Sequence, residues 1–240
     1  MQDLDQTTHL LYVPNHIRFC SAHGRIILIN LNEGDYSILD EVATFLWNLV
    51  CLNLTIKKAA IEFAEHFAIP EALAYRDLME FINDCIYRRL LITYGDPIIP
   101  ITPILIQSRR MTLLNAFLSL HRIKKSLRGQ GFSETYRWHL RLQFSGSLLK
   151  APKADMISNA LAMFKYAENG FRIGTSDIDC LPRSLALYSY LLAGGIRVDH
   201  CIGVRRFPFG AHAWVELCGA PIYDSPDFVK QFTLISKMTP

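Results

Sequence analysis

The sequence predicts an α+β protein of two units, with a proline-rich segment between them. Three observations carry this. Residues 1–95 run as three short strand-like segments and then three helix-like ones. Prolines 97, 100 and 103 punctuate "GDPIIPITPILIQS", so residues 96–108 read as an extended linker. From residue 109 onward, helix-like stretches lead into a strand pair that turns near Gly219.

In the first unit, "HIRFCSA" (16–22) and "RIILIN" (25–30) are rich in β-branched or aromatic residues, with Gly24 as the turn between them. A second turn at Gly34 leads to a short third strand, Tyr36 to Leu39. Three helices follow, over 40–50 with Asp40 as N-cap, 55–67 with Thr55 as N-cap, and 70–91 with Pro70 in the first turn. In the third, Leu78, Phe81, Ile82, Cys85 and Ile86 fall on one apolar face. A three-stranded antiparallel sheet leaves an edge of unpaired backbone groups, and an edge beside an amphipathic helix suits the addition of a peptide strand.

The stretch "EGDYSILDEVATFLWNLV", a Thr-capped helix and a long helix ending in "RRLLI" resemble the PqqD-like peptide-recognition domain of ribosomal-peptide biosynthesis, over about residues 10–95. The resemblance implies a winged-helix-like unit in which a precursor's leader peptide adds to the third strand and lies against the third helix. Carried onto this sequence, it points to Tyr36, Ser37, Ile38 and Leu39, and to Arg76, Asp77, Glu80, Phe81, Asp84 and Tyr87.

In the second unit, 109–128 and 154–170 read as helices, the latter ended by Gly170, while the pattern between them favours no element. A further helix begins near residue 180, capped by Asp177 or Asp179, with Pro182 in its first turn and Gly194 and Gly195 at its end. "GAHAWVEL" (210–217) alternates as a strand, "CGAP" turns, and "IYDSPDF" begins the return.

Composition narrows the function. The chain has 240 residues, half of them hydrophobic, and a formal net charge of +3, with no basic stripe interleaved with aromatics, which argues against nucleic acid as a partner. "HRIKKSLR" (121–128) reads as the solvated face of a helix. The acidic start "MQDLDQTTHLL" lacks a signal-peptide pattern, and no apolar run reaches the roughly 18 residues of a membrane span, so the cytoplasm is the expected compartment. The six cysteines form no CxxC pair and no His/Cys cluster with zinc spacing, so free thiols and no metal are expected. No GxxxxGK[ST] phosphate loop or other cofactor motif occurs.

Cys180 is the candidate nucleophile. At a helix start it feels the positive end of the dipole, and the free N–H groups there face a developing oxyanion. A cysteine nucleophile also needs a proton acceptor and an orienter. A hairpin turning near Gly219 brings His212 and Asp224 together, so that the carboxylate fixes the imidazole. Asp227 is the weaker alternative orienter. His200 and Cys201 are neighbours on opposite faces of a strand, and Cys218 sits in the turn.

"CLPRSLAL", "AHAWVE" and the aspartate twelve residues after His212 resemble the transglutaminase-like core of lasso-peptide B proteins, from about residue 110 to the C-terminus. A recognition domain ahead of such a core is the arrangement of microcin-type B proteins. The resemblance implies a papain-like cysteine endopeptidase with Cys180, His212 and Asp224 as its triad. It would remove the leader from a ribosomally made lasso-peptide precursor, in antibiotic biosynthesis, before macrolactam formation. The implied partners are that precursor and an ATP-dependent, asparagine-synthetase-like cyclase, to which any ATP requirement is assigned. Two alternatives share the motif: a transglutaminase-like acyl transferase and a non-catalytic leader-binding scaffold.

Overall fold

The computed structural model describes residues 11–52, 54–93, 102–172 and 179–240. The chain divides into two compact units, one of Met1–Asn30 with Asp35–Ile99 and one of Leu31–Gly34 with Pro100–Pro240.

The first unit opens with a short strand β1 (Leu11–Tyr12), followed by an antiparallel meander of β2 (Ile17–Ala22), β3 (Arg25–Asn30) and β4 (Asp35–Ile38). The β2–β3 turn places His23 and Gly24 at φ 52° and 71°, the two positive values that a two-residue hairpin loop requires. Cys20 lies opposite Ile27, and Ile27 opposite Ile38, so β3 is central and β4 terminal in this sheet. Then come α1 (Glu41–Cys51), α2 (Ile56–Phe67), α3 (Glu71–Tyr87) and a short β5 (Ile92–Thr93) that pairs with β1. Asp40 Oδ1 accepts the Ala43 N–H at 2.8 Å, and Thr55 Oγ1 accepts that of Lys58 at 3.3 Å, each fixing a helix start. Ile26, Leu28, Trp47, Val50, Phe63, Leu78, Ile82 and Cys85 fill the core.

The third helix ends at Tyr87, short of the expected residue 91, and begins after Pro70 rather than on it. Arg89 takes φ 55°, and the N–H groups of Leu90 and Leu91 both turn back to the Cys85 carbonyl at 2.8 and 3.2 Å. This left-handed stop turns Leu90 and Leu91 into the core, a gain in apolar burial that outweighs another helical turn.

The second unit contains β6 (Ile104–Ile106), α4 (Leu113–Leu140), β7 (Leu142–Phe144), α5 (Ala154–Arg172), α6 (Cys180–Ala193), β8 (Asp199–Arg205), β9 (Gly210–Leu217), β10 (Ala220–Ile222), α7 (Pro226–Val229) and β11 (Thr233–Met238). Four strands form an antiparallel sheet in the order β10–β9–β8–β11. Of the expected linker, 96–101 lies outside the described residues. Beyond it, Ile104–Ile106 pairs in parallel with Leu142–Phe144, so this part is a strand of the second unit rather than a spacer.

Two helices run past their expected ends. α4 does not stop at residue 128 but continues to Leu140 through a break at Gly131 (φ 76°, ψ −177°). α5 passes through Gly170 and ends at Arg172. The return of the hairpin is also shorter than expected, because the strand ends at Ile222 and Pro226–Val229 is helical. α6 packs against α4 on one side and against β8 and β9 on the other, and is buried around almost its whole circumference from Ser184 to Leu192. A helix apolar all round needs such a place. No helix of the described residues is long and apolar enough to cross a membrane.

The break in α4 gives a stability test. Gly131 holds a backbone conformation that is essentially restricted to glycine, whereas a Cβ built at Gly129 meets nothing within 4 Å. Gly131→Ala is expected to destabilise the chain by about 1–3 kcal/mol in denaturant unfolding. Gly129→Ala should be neutral or slightly stabilising. Equal effects would contradict the kink.

Candidate active site

Cys180 is the first residue of α6, and Asp179 is its N-cap residue. Asp179 makes no side-chain cap hydrogen bond and is exposed, which corrects the expectation that it caps the helix; Asp177 lies outside the described residues. The carbonyl of Asp179 accepts the N–H of Arg183 at 3.2 Å, while the N–H groups of Cys180 and Leu181 precede any intrahelical acceptor. Pro182 has no N–H to satisfy, so it costs this first turn nothing.

His212 stands on β9, opposite Gly203 of β8. The hairpin turns through Cys218 and Gly219 at φ 51° and 79°, setting Leu217 opposite Ala220 and Val215 opposite Ile222. The chain then leaves the strand at Tyr223, whose φ of 77° is unfavourable for a residue with a Cβ. Tyr223 Oη donates to Glu168 Oε2, and its ring meets Phe164 edge-on at 5.5 Å, so α5 holds the strained residue. The outcome is that Asp224 Oδ1 lies 3.3 Å from His212 Nε2.

Arg183, one helical turn beyond Cys180, donates through Nη2 to the same Asp224 Oδ1 at 2.8 Å. Reading the sequence missed Arg183, although its i+3 spacing from Cys180 was available as a signal. Asp227, the alternative orienter, pairs with Lys230 on the exposed surface instead.

Electrostatics follow from this geometry. Burial works against the charged form of His212, but hydrogen bonds to Asp224 and Cys180 and the charges of both push its pKa up to about 9. Burial likewise opposes the Cys180 thiolate. Hydrogen bonds from His212 and from the Ala213 backbone N–H, with the positive charges of His212 and Arg183, outweigh it and lower the thiol pKa. The favoured state is a thiolate–imidazolium pair. The other cysteines with shifts behave oppositely: burial raises the thiols of Cys20, Cys51, Cys85 and Cys201, that of Cys51 to about 11. Phe228 and Phe232 wall the His212 ring at centroid distances of 4.9 and 5.3 Å.

Two other histidines are buried and neutral, with burial pushing His200 down to about 3 and His139 to about 4. His200 Nε2 lies 2.9 Å from Ser184 Oγ, which donates to the Leu181 carbonyl at 3.1 Å. The serine has one proton to give, so His200 Nε2 carries the hydrogen between them. The pair ties the first turn of α6 to β8. Among the described residues no group of three or more His, Cys, Asp or Glu side chains could hold a metal. Cys218 is exposed, its Sγ 3.0 Å from the Lys150 carbonyl.

The residues expected to meet a leader peptide lie along β4 and α3. Tyr36 and Ser37 are half-buried, Ile38 is exposed, and Leu39 is buried in the core, its N–H on the Ile26 carbonyl at 2.9 Å. On α3, Arg76, Glu80, Asp84 and Tyr87 are exposed, and Asp77 and Phe81 half-buried. Arg76 contacts both Asp77 and Glu80, and Arg88 reaches from Asp84 to Ser37 Oγ at 3.5 Å, joining the end of α3 to β4.

Comparison with known proteins adds two family matches. Residues 126–237 match the transglutaminase-like superfamily, and residues 25–91 match coenzyme PQQ synthesis protein D (PqqD). The fold is thus a PqqD domain followed by a transglutaminase-like domain. The microcin J25-processing protein McjB of Escherichia coli is 35% identical over 68 residues, which is 28% of this chain. The match spans about a third (33%) of that relative's length. A solved structure, TbiB1 in complex with the TbiA(beta) leader peptide, is 20% identical with a TM-score of 0.33, over 35% of this chain and 98% of the other.

The ion pair makes a measurable claim. Because the Cys180 pKa is lowered and that of His212 raised to about 9, the pair persists from the depressed thiol pKa up to about pH 9. Alkylation of Cys180 by iodoacetamide should therefore titrate below the ordinary thiol value of 9.0. His212→Ala and Arg183→Met should each move the inflection upward. An unshifted inflection in the unmodified chain would contradict the pair.

Proposed function

We propose that this chain, which pairs a PqqD domain with a transglutaminase-like domain and so fits a lasso-peptide B protein, is a cysteine endopeptidase that removes the leader from a ribosomally made precursor. One observation carries the chemistry: the thiol at the start of α6 shares a hydrogen-bonded site with His212, whose ring is held by Asp224. The PqqD match supports the substrate class. The residues act as follows.

The leader adds as a strand to the edge of β4 and lies along α3. Holding the leader on the same chain raises the effective concentration of the scissile bond at Cys180. The Cys180 thiolate attacks the carbonyl that joins leader to core. The backbone N–H of Cys180, at the positive end of α6, donates to the oxyanion. The C–N bond breaks as His212 gives its proton to the leaving amine, leaving an acyl thioester on Cys180. Neutral His212 then takes a proton from water as that water attacks the thioester, the C–S bond breaks, and the leader leaves as a carboxylate with its proton lost to solvent, restoring the thiolate–imidazolium pair. Asp224 holds His212 in one orientation and stabilises its charged form.

The freed amine is the new N-terminus of the core, which a separate ATP-using, asparagine-synthetase-like cyclase joins to an acidic side chain. This chemistry belongs in the cytoplasm, where precursor and ATP are made.

With precursor and cyclase present, Cys180→Ala and His212→Ala should each lower leader release at least about a thousandfold, with leader affinity retained. Release that survives both substitutions sinks the assignment. Mass spectrometry separates hydrolysis, which yields two peptides, from acyl transfer, which yields an adduct.

Leader docking is tested apart from chemistry. Ile38→Glu and Tyr87→Ala in the full chain should weaken leader binding by about tenfold each while sparing turnover at saturating precursor. Unchanged affinity in both would remove the β4–α3 face from the reading.

A further inference from the structure

The sheet edge beside His212 is open, and it carries backbone groups that the triad does not use. β10 pairs with β9 only from Leu217 to Val215, and among the described residues no other strand lies on that side of β9. In an antiparallel ladder, successive residues of one strand aim their N–H and C=O groups at alternate neighbours. The two-residue turn at Cys218 and Gly219 makes Leu217 and Ala220 a hydrogen-bonded pair, so Leu217, Val215, Ala213 and Ala211 aim at the β10 side. The residues between them aim at β8, with Gly210 opposite Arg205 and His212 opposite Gly203. Ala213 agrees with this alternation, because its N–H reaches Cys180 rather than β8. Ala211 therefore presents one N–H and one carbonyl to the vacated edge, and it is exposed although it sits inside a strand.

We propose that the precursor docks its cleavage site on this edge as a short strand, with Ala211 exchanging backbone hydrogen bonds with one of its residues. This role rests on the peptidase activity proposed for the chain. The edge is continuous with the thiolate. Ala211 and Ala213 are two residues, about 6.7 Å, apart along the strand, which is also the two-residue repeat of an extended peptide. A peptide whose attacked carbonyl lies at Cys180 thus has a residue within two positions of that carbonyl opposite Ala211. Unpaired edge groups of this kind accept an added strand. An edge of one free residue is too short to hold an untethered strand, but a precursor already anchored through its leader needs only a weak second contact. That contact would fix the scissile carbonyl in an extended chain before attack.

The experiment takes the full chain with cyclase and with precursors in which one amide within two residues of the scissile bond is replaced by an ester, the scissile amide itself being kept. Each ester deletes one N–H donor and changes no side chain. Leader release should fall by about five- to tenfold in kcat/KM at one position and stay near the unmodified value at the others, with leader affinity unchanged throughout. Ala211→Pro follows a glycine and removes an N–H that faces the open edge, a place where a strand tolerates proline. It should lower kcat/KM to a similar extent while Cys180 keeps its alkylation profile. If that profile changes, the ester scan on the unmodified chain decides alone. Esters tolerated at every position, or equally harmful at all of them, overturn the docking edge and leave the peptidase activity standing. Leader release that persists in Cys180→Ala sinks that activity instead.

Discussion

One carboxylate oxygen joins the parts of the candidate active site. Asp224 Oδ1 accepts from Arg183 of α6 at 2.8 Å and faces His212 of β9 at 3.3 Å. Both partners are nearly enclosed, with side-chain exposures of 22% for Arg183 and 12% for Asp224, so the interaction is screened far less than a surface ion pair. Arg183 and Cys180 share the first turn of one helix. Anchoring the arginine to the hairpin therefore also fixes where the thiol stands relative to the imidazole. Removing the carboxylate would leave a half-buried guanidinium without its ion-pair partner and an imidazole without its orienter, a larger loss than either contact alone.

The surroundings of that anchor are built to resist rotation of α6. Its apolar circumference is clamped between α4 and the sheet, and the Ser184–His200 link ties its first turn to β8. The two kinds of histidine divide the labour. For His139 and His200 burial is the largest influence, opposed at His139 by the Thr135 carbonyl and reinforced at His200 by His139, and it keeps both neutral hydrogen-bonding members of the core. His212 is also enclosed, but hydrogen bonds to Asp224 and Cys180 overcome burial and favour its charged form. The same ring in the same domain thus serves as structure or as a proton carrier according to its nearest charge.

What was legible in the sequence was what local chemistry dictates. Asp40 and Thr55 are caps because their side chains reach N–H groups three residues on, and β2–β3 pairs in the register its turn imposes. Counting across one hairpin put His212 near Asp224, but the paired strands stop at Ile222 and it is the bend at Tyr223 that brings the carboxylate to the ring. The illegible parts were decided by tertiary packing. α3 stops early because Leu90 and Leu91 gain more by entering the core. α4 outruns its expected end because Gly131 absorbs a kink that the sequence suggests as a stop. Ile104–Ile106 is a strand only because β7, about 40 residues away, offers an edge. Arg183 was not singled out, because its partner Asp224 lies on the hairpin, far away in the sequence.

The acidic residue before Cys180 is the feature that argues most directly against a thiolate there. A cap bond would have held the Asp179 carboxylate at the helix mouth, within a few ångströms of the sulfur. Instead its side chain makes no cap contact and stands in solvent, where water and salt screen its field. The helix start keeps its unsatisfied N–H groups, so their partial positive charge remains available to the sulfur and to an oxyanion. On the enclosed side, Arg183 and His212 place positive charge close to the thiol where screening is weak. Charges of opposite sign thus flank the cysteine on different sides of a dielectric boundary, and the less screened side decides the protonation of the thiol.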